Sequence, residues 1–456
     1  MTPALTYQTL RMSSVDIQVV EVDPASSPGS KRGNAIKGGF LSVLIDMFDI
    51  YLPVVILAPI QSYFLAASAA GENRDVLDSL VFATTLVGRP VGALIFGRVA
   101  DRIGRRKASI ISVTGFGIFT LLIALLPGYA TIGAASYALL VLLRFIDGIF
   151  LGGGYTGAIP LALEGSSRRQ RGLVGGFIMA GYPAAYVLIN LVAAAVLAGF
   201  PGGGTASPYA RFGWRIPFVC GALLAAYLAV YYARKVPESA VWRHAAPAGG
   251  ERAARAPLLR GETARSLLQV LLMMTGFWLT QNIVGGYLPS GVLVKALHLT
   301  AVQMTDTLLI TYVVLFGAFI AAGIIGQRIG RRRFMTLAAL LQASLGAWLL
   351  HRLIGSAGAP LALVVANTCV LAMLVSPCWA AIITFMNERF ATGVRATGFG
   401  IGYSLSVIAP SFFAFYMKWL GHVVPAADSP VALLVIGGAI AAIGAWLGPE
   451  TNHVEL

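Results

Sequence analysis

The sequence predicts an all-α membrane protein with twelve transmembrane helices in two pseudo-symmetric six-helix bundles. Three observations support this fold class: the composition, the number of long apolar stretches, and a basic loop that occurs twice. Hydrophobic residues make up 57% of the 456-residue chain and charged residues only 11%, against about 25% charged residues in an ordinary soluble domain. Lipid offers the backbone no water to bond with, so helices are the expected spanning elements.

Long apolar stretches divide the chain into twelve spans, because roughly 20 apolar residues are needed to cross the hydrocarbon. The first six spans are predicted at 38–66, 77–98, 108–127, 134–163, 172–199 and 214–234. The second six are predicted at 266–290, 303–326, 333–354, 359–387, 395–420 and 430–448. An even number of spans places both termini on one side of the membrane.

A short basic loop follows the second span and returns after the eighth. The first copy contains Gly104-Arg105-Arg106-Lys107 and the second Gly330-Arg331-Arg332-Arg333, an offset close to half of the chain. Lys and Arg resist translocation, so loops this basic beside spanning segments should face the cytoplasm. The repeat predicts two similar halves with both termini cytoplasmic.

The chain therefore divides into five parts. Residues 1–37 are predicted to form a polar cytoplasmic tail rather than a cleaved signal peptide. Residues 38–234 form the N-terminal bundle, 235–265 a basic cytoplasmic linker, and 266–449 the C-terminal bundle. Residues 450–456 form a short cytoplasmic C-terminus. The protein is expected in the cell inner or plasma membrane, with the lipid bilayer as its surroundings and as a functional monomer.

The formal net charge of +14 raises the question of a nucleic-acid partner. Most of the Lys and Arg residues lie on segments predicted to be cytoplasmic, so the excess sets the membrane orientation and no nucleic-acid partner is expected. The three cysteines, Cys220, Cys369 and Cys378, lie in apolar segments without metal-ligand spacing. Neither a metal site nor a disulfide framework is therefore expected.

Three acidic residues at membrane depth are the candidates for proton coupling, because ionisable groups are costly there and usually functional. Asp46 and Asp49 are three residues apart on the first span, so they share one helical face. Two carboxylates this close in a medium of low dielectric constant cannot both ionise easily. Asp147 lies one turn from Arg144 on the fourth span, where the two can pair. The alternative is a fixed structural network without titration.

Two buried cations and several uncharged groups are the candidates for substrate binding. Arginine can hold a carboxylate with two parallel hydrogen bonds, so Arg144 and Arg89 are predicted to bind an anion. Amides and aromatic rings facing a central cavity would orient a small ligand, although each could equally bond between helices. These candidates are Tyr51, Tyr186, Asn190, Trp278, Gln281, Asn282 and Trp379.

The first basic loop resembles the signature between the second and third helices of the major facilitator superfamily. Gly97, Asp101, Gly104, Arg105 and Arg106 occupy the places of that signature. Two copies at half-chain spacing, both between spanning segments, make the resemblance specific. It implies the major facilitator fold and a carrier that works by alternating access.

Several further stretches resemble the metabolite:proton symporters of that superfamily, notably Arg89-Pro90 before the loop, 214–218 and 394–398. The first helix, at 46–49, is equally similar to the aromatic-acid:proton symporters. The fourth helix departs from the metabolite symporters, which usually have Gln at the place of Asp147 and Glu at the place of Gly154. These departures leave the substrate open.

The resemblance also implies gating by charged residues at the cytoplasmic helix ends. The gating candidates are Asp101, Arg102, Arg105, Arg106, Glu164, Arg171, Glu388 and Arg395. Asp101 has no counterpart in the second copy of the loop, where Gln327 takes its place. The two loops are therefore expected to contribute unequally to closure.

These features favour a secondary transporter that carries a small organic anion (a mono-, di- or aromatic carboxylate) together with a proton. The proton is the coupling ion, and no other cofactor is expected. One alternative is a proton-coupled drug or metabolite antiporter of the same fold. A membrane-bound enzyme or sensor is disfavoured, because the sequence shows no nucleophile–base constellation, phosphate loop, metal cluster or appended soluble domain.

Overall fold

The computed structural model is helical, with twelve helices long and apolar enough to cross a membrane among the described residues. It describes residues 28–57, 60–65, 74–164, 166–202, 204–238, 261–390 and 395–454. The regular elements in these ranges are all helices, which confirms the predicted fold class. Internal hydrogen bonds satisfy the backbone of each helix, as a lipid environment requires.

The first half comprises helices α1 to α6, and α5 is made of two consecutive segments. Their bounds are α1 Pro28–Ile56, α2 Arg74–Ile103, α3 Arg105–Ala124, α4 Ala135–Glu164, α5 Arg171–Met179 and Gly181–Gly199, and α6 Arg215–Lys235. Short helical turns lie at Gln61–Phe64, Tyr129–Ile132, Arg168–Gln170 and Tyr209–Gly213.

The second half comprises helices α7 to α12, several of which are interrupted. Their bounds are α7 Gly261–Gln281 and Asn282–Ala296, α8 Ala301–Ile329, α9 Arg331–Leu341, Gln342–Gly346 and Ala347–Ile354, α10 Leu361–Val375 and Trp379–Arg389, α11 Arg395–Leu405, Ile408–Ser411 and Phe413–Leu420, and α12 Ser429–Trp446. One further short turn is Ala426–Asp428. The second part of α7 is π-helical and contains Pro289.

The first helix differs most from its predicted span of 38–66. It begins at Pro28 and ends at Ile56, and a separate helical turn follows at 61–64. The apolar run continues past the end of the helix, so hydropathy alone misplaces this boundary. Pro59 in that run has no backbone N–H to continue a helix. At the other boundary, the polar residues before 38 extend the helix without changing the hydropathy signal.

Consecutive spans cross in alternating directions, so one end of the molecule carries the loops at Gly104 and Gly330 and the start of α1. This end is the basic end, and the opposite one is the far end. The halves pack closely at the basic end, where α5 lies against α8. A Cβ added to Gly172 would overlap the carbonyl oxygen of Gly323, so the two backbones touch without intervening side chains.

The two basic loops have the same local structure, which supports the pseudo-symmetry seen in the sequence. Gly104 and Gly330 have φ values of 102° and 99°, a conformation that favours glycine. In the first half, the Glu238 carboxylate accepts hydrogen bonds from the backbone N–H groups at the start of α3. In the second half, Glu450 does the same at the start of α9. Each carboxylate satisfies otherwise unpaired N–H groups of a helix start.

Candidate functional site

Asp46 and Arg89 form an ion pair between α1 and α2. Arg89 Nη2 donates to Asp46 Oδ2 at 3.2 Å, and both side chains are buried. The guanidinium also lies against α11, with its Cζ atom 5.6 Å from the centre of the Tyr403 ring. Arg89 therefore connects an acidic group of the first half to an aromatic ring of the second.

Asp49, Arg144 and Asp147 form a second buried cluster between α1 and α4. Arg144 Nη1 donates to Asp49 Oδ2 at 3.0 Å and to Asp147 Oδ2 at 2.8 Å. Its Nη2 donates to the backbone oxygens of Asp49 and Ile50, at 3.2 and 3.5 Å. On α3, Thr120 Oγ1 lies 2.6 Å from Asp49 Oδ1. The pairing of Arg144 with Asp147 predicted from their spacing is confirmed.

The charge balance differs between the two sites. Asp46 and Arg89 are one acid and one cation, whereas Asp49, Asp147 and Arg144 are two acids and one cation. The three members of the second cluster are at most 2% exposed. An uncompensated charge at such depth costs several kcal/mol, about 3–5 when a partner is removed. The second cluster is therefore suited to holding one proton.

A small central cavity lies between the two halves and is mostly aromatic. It has a volume of about 20 Å³. From the first half it is lined by Met47, Tyr51, Met179 and Tyr182, and from the second by Trp278, Gln281, Phe319, Trp379 and Tyr403. Among the described residues, the Trp379 Nε1 donor and the Gln281 Oε1 acceptor of this lining are buried and have no hydrogen-bond partner. A ligand with both an acceptor and a donor would satisfy them.

A larger cavity of about 190 Å³ lies toward the far end. Its lining comes from the far ends of α1, α2, α4, α7 and α11 and includes Tyr137, Tyr287, Ser290 and Lys295. The rings of Tyr51, which lines the central cavity, and Phe82, which lines the far cavity, are 5.6 Å apart. This contact lies between the two cavities.

Tyrosines of α5 and α8 also connect the halves beside the central cavity. The rings of Tyr186 and Tyr312 stack with centroids 3.9 Å apart, and Tyr182 and Tyr312 hydroxyls are 3.2 Å apart. Tyr186 donates to the Gly285 oxygen of α7 at 2.6 Å, and Gln281 Nε2 donates to the Tyr182 hydroxyl at 2.8 Å. These bonds hold α7 against the first half.

The residues predicted to bind substrate fall into two groups. Tyr51, Trp278, Gln281 and Trp379 line the central cavity, and Arg89 reaches it through the Tyr403 ring. The others bond within the helix bundle and line neither cavity. They are Tyr186, which donates to Gly285, Asn190, which donates to the Tyr186 oxygen, Asn282, which donates to the Pro410 oxygen, and Arg144.

The basic end is held closed by an ion pair across the halves. Arg171 Nη1 of α5 lies 3.6 Å from Glu388 Oε1 of α10, and Arg331 Nε of α9 lies 3.4 Å from Glu388 Oε2. Gln327 accepts from the Gly172 backbone N–H at 3.1 Å. The C-terminal segment 451–454 joins this cluster, because Thr451 donates to Glu388 and Arg171 donates to the Val454 oxygen.

Three other gating candidates, Arg105, Arg106 and Arg395, have hydrogen bonds within their own half. Arg106 donates to the Tyr232 and Ala233 oxygens at the end of α6, within its own half. Arg102 is exposed, Arg105 is buried beside Glu238, and Arg395 Nε lies 3.3 Å from the Phe390 oxygen. The side chains of Asp101 and Glu164 lie outside the described residues.

Sequence reasoning missed several residues at these sites. Thr120 on α3 bonds Asp49, and Tyr312 on α8 stacks on Tyr186. A single hydroxyl in an apolar span gives no periodic signal, because threonine and tyrosine also serve as ordinary packing residues there. Phe319 was missed for the same reason, since an apolar ring in an apolar helix carries no distinguishing pattern.

Comparison with known proteins places this geometry in context. The sequence profile of the Major Facilitator Superfamily matches residues 39–412. The chain is 27% identical over 440 residues to the inner membrane metabolite transport protein YhjE of Escherichia coli K12, covering 94% of this chain and 97% of that protein. It is 34% identical to a putative proline/betaine transporter of Staphylococcus aureus over 176 residues, 38% of this chain and 37% of that one.

Among solved structures, the fold is similar to that of the proton:xylose symporter XylE of E. coli, bound to 6-bromo-6-deoxy-D-glucose. The TM-score is 0.73 at 20% sequence identity, with 93% of this chain and 97% of that chain covered. At this identity the likeness concerns the fold.

Proposed function

Because the chain belongs to the major facilitator superfamily, it is a multi-pass membrane transporter, and we propose that it carries a small organic anion in symport with a proton. The observation that carries the proposal is the buried cluster of Asp49, Asp147 and Arg144, which has one acid more than it has cations. A proton taken up there restores neutrality. The cluster therefore supplies a chemical reason for proton coupling.

The lining of the cavities supports an anionic rather than a cationic substrate. Among the described lining residues of the two cavities there is no carboxylate, whereas Lys295 lines the far one. Arg89 lies behind the Tyr403 ring of the central cavity. Of the two arginines predicted to bind the substrate, Arg89 contacts a ring that lines this cavity, whereas Arg144 bonds two carboxylates and the backbone of α1.

The unpaired Trp379 Nε1 and Gln281 Oε1 atoms would orient the anion within the aromatic cavity. A carboxylate accepts from the indole N–H, and a hydroxyl or amino group of the same molecule donates to the amide oxygen. The volume of the central cavity, about 20 Å³, is too small for such a molecule. Substrate binding therefore requires Tyr51 and its neighbours to move apart.

We place the basic end in the cytoplasm, since the positive charge of its loops predicts that side. In this orientation, the Arg171–Glu388 pair closes the cytoplasmic side, and the far cavity lies on the outer side. Alternating access requires the Arg171–Glu388 contact to break while the Tyr51–Phe82 contact tightens. The protein would work as a monomer. Its membrane would be the inner membrane, which the name of its E. coli relative also specifies for that protein.

The test is uptake by purified protein in proteoliposomes, using a panel of radiolabelled mono-, di- and aromatic carboxylates. We expect at least one compound to accumulate above its external concentration only with an inward proton gradient. Proline, betaine and xylose serve as comparison compounds, because relatives and structural neighbours carry those names. Accumulation of these neutral or zwitterionic compounds and of no carboxylate would contradict the anion assignment.

Coupling of transport to a proton is tested separately, with variants of the two acids on α1. Asp46→Asn and Asp49→Asn are each expected to abolish gradient-driven accumulation while the protein still inserts and folds. Unchanged accumulation in both variants would contradict coupling through α1. Reversal of the pH gradient distinguishes symport from exchange, since an antiporter would accumulate its substrate with the gradient directed outward.

A further inference from the structure

The hydrogen bonds around the second buried cluster are unequal for its two acids. Both oxygens of Asp49 have donors, Oδ1 from Thr120 at 2.6 Å and Oδ2 from Arg144 at 3.0 Å. Asp147 accepts from one cationic donor, Arg144, at Oδ2, and its carboxyl group also lies against that of Asp49. Its Oδ1 is buried and has no hydrogen-bond partner among the described residues.

We propose, on the basis of proton coupling as proposed above, that Asp147 is the carboxyl group that holds the proton in this conformation, and that Asp49 is the permanent anion that pairs with Arg144. A carboxylate with a donor on each oxygen is stabilised in its charged form. A buried carboxylate oxygen without a donor is costly when charged and tolerable when it belongs to a neutral acid. The unequal bonding thus assigns the proton.

The short contact to Thr120 supports an ionised Asp49. A distance of 2.6 Å falls in the range typical of a hydroxyl donating to a carboxylate. Thr120 has one hydrogen, and its other available acceptor is the Phe116 oxygen at 2.9 Å. In the rival arrangement, the Thr120 hydroxyl donates to the Phe116 oxygen and accepts a hydrogen bond from a protonated Asp49. The two arrangements differ in which acid is neutral, and this difference can be measured.

Within the part of the chain that the structure describes, Arg144 is the cation that pairs with Asp147. Its own helix provides Arg144, and α1 provides Asp49 and, further away, Asp46, which both repel a second negative charge. Arg89 of α2 bonds Asp46 and faces the Tyr403 ring of α11. From α3 the cluster receives the Thr120 hydroxyl, which bonds Asp49.

The position of Asp147 also connects the proton to the central cavity. Arg144 holds the backbone oxygens of Asp49 and Ile50, immediately before Tyr51, whose ring lines that cavity. Release of the proton leaves two carboxylates competing for one guanidinium. The hydrogen bonds from Arg144 to the backbone of α1 then weaken, and Tyr51 becomes free to move. Asp147 stands where the metabolite:proton symporters usually have Gln, so this arrangement departs from that family's pattern.

The experiment is infrared spectroscopy of the purified protein in lipid, which detects the carbonyl stretch of a protonated carboxylic acid. Aspartic and glutamic acids give this band at different frequencies, so the band follows the residue that carries the proton. Asp147→Glu is expected to move it to the glutamic acid position, and Asp49→Glu to leave it at the aspartic acid position. A shift in Asp49→Glu would overturn the proposal.

Asp46→Asn is the matched control, because Asp46 belongs to the balanced pair with Arg89. We expect the band to keep its intensity in this variant, and its loss would place the proton on Asp46 and overturn the proposal. If Asp147→Glu does not fold, Asp49→Glu and Asp46→Asn together still assign the band. The measurement needs neither substrate nor transport, so failure of symport in vesicles and failure of this assignment are separate results.

Discussion

The two halves share a backbone plan but carry different chemistry at membrane depth. The first half holds Asp46, Asp49, Arg89, Arg144 and Asp147 in two buried clusters. The second half presents aromatic rings and amides to the same central region. We therefore propose a division of labour, in which the first half handles the proton and the second half orients the substrate.

At the basic end the same two halves are nearly alike. Glu238 and Glu450 occupy equivalent places, each capping the helix that follows a glycine of positive φ. Similar loops keep each six-helix bundle rigid, which a transporter needs if the bundles are to rock against each other. The marked difference in buried charge lies at membrane depth, where we propose that the ligand and the proton bind.

The largest expected effect comes from removing Arg144, the cation of the second buried cluster in the first half. Arg144→Leu leaves Asp49 and Asp147 buried without their cation, and we expect a loss of about 3–5 kcal/mol in the free energy of unfolding. The measurement is thermal or denaturant unfolding in detergent, with exposed Lys107→Ala as the control. The triple variant with Asp49→Asn and Asp147→Asn should regain stability without regaining gradient-driven accumulation. A stable Arg144→Leu single variant would contradict the buried cluster.

A smaller effect is expected in the second half. Trp379→Phe keeps a ring in the central cavity but removes its unpaired N–H, so the substrate loses one hydrogen bond worth about 1.5 kcal/mol. The apparent KM for uptake should rise roughly tenfold. The dependence of uptake on the proton gradient should stay as in the wild type. Trp419→Phe, at an exposed tryptophan of α11, is the matched control. If uptake by Trp379→Phe no longer depended on the proton gradient, the proposed division of labour between the halves would be contradicted.

The smallest effect is expected at the closure of the basic end. Glu388→Gln weakens the contact with Arg171, so conformations open at this end become more populated. A cysteine introduced at Thr384, beside Gly175 across the interface, should then react several-fold faster with a polar thiol reagent in a background without native cysteines. Glu450→Gln, which alters a cap within one half, is the control. Equal labelling in both variants would show that Glu388 does not hold the halves together.

The sequence predicted the fold class, the number of spans and the repeat, because hydropathy and loop charge act along the chain. It also predicted the pair Arg144–Asp147, whose spacing places both on one helix face. The partners Asp46–Arg89 and Asp49–Thr120 belong to different helices. Their pairing depends on how the helices pack. The sequence could therefore identify the charged residues as candidates, but it could not predict which residue bonds which.

The same dependence on helix packing explains why only some of the residues predicted to bind substrate line the central cavity. Gln281 and Asn282 are neighbours in sequence, yet one lines the central cavity and the other bonds the Pro410 oxygen. Adjacent residues on a helix point about 100° apart, so the rotation of α7 decides which one faces the cavity. Its π-helical continuation from Asn282 changes that rotation locally. Hydropathy carries no information on such a change.

The most direct test of proton-coupled anion uptake is the internal pH of proteoliposomes containing a trapped pH-sensitive dye. The substrate that the uptake panel identifies is added outside, with no pH gradient imposed and with valinomycin and potassium holding the membrane potential at zero. Symport predicts that the interior becomes more acidic as the substrate enters, and that a protonophore abolishes the change. Entry of substrate with an unchanged or a more alkaline interior would contradict the account.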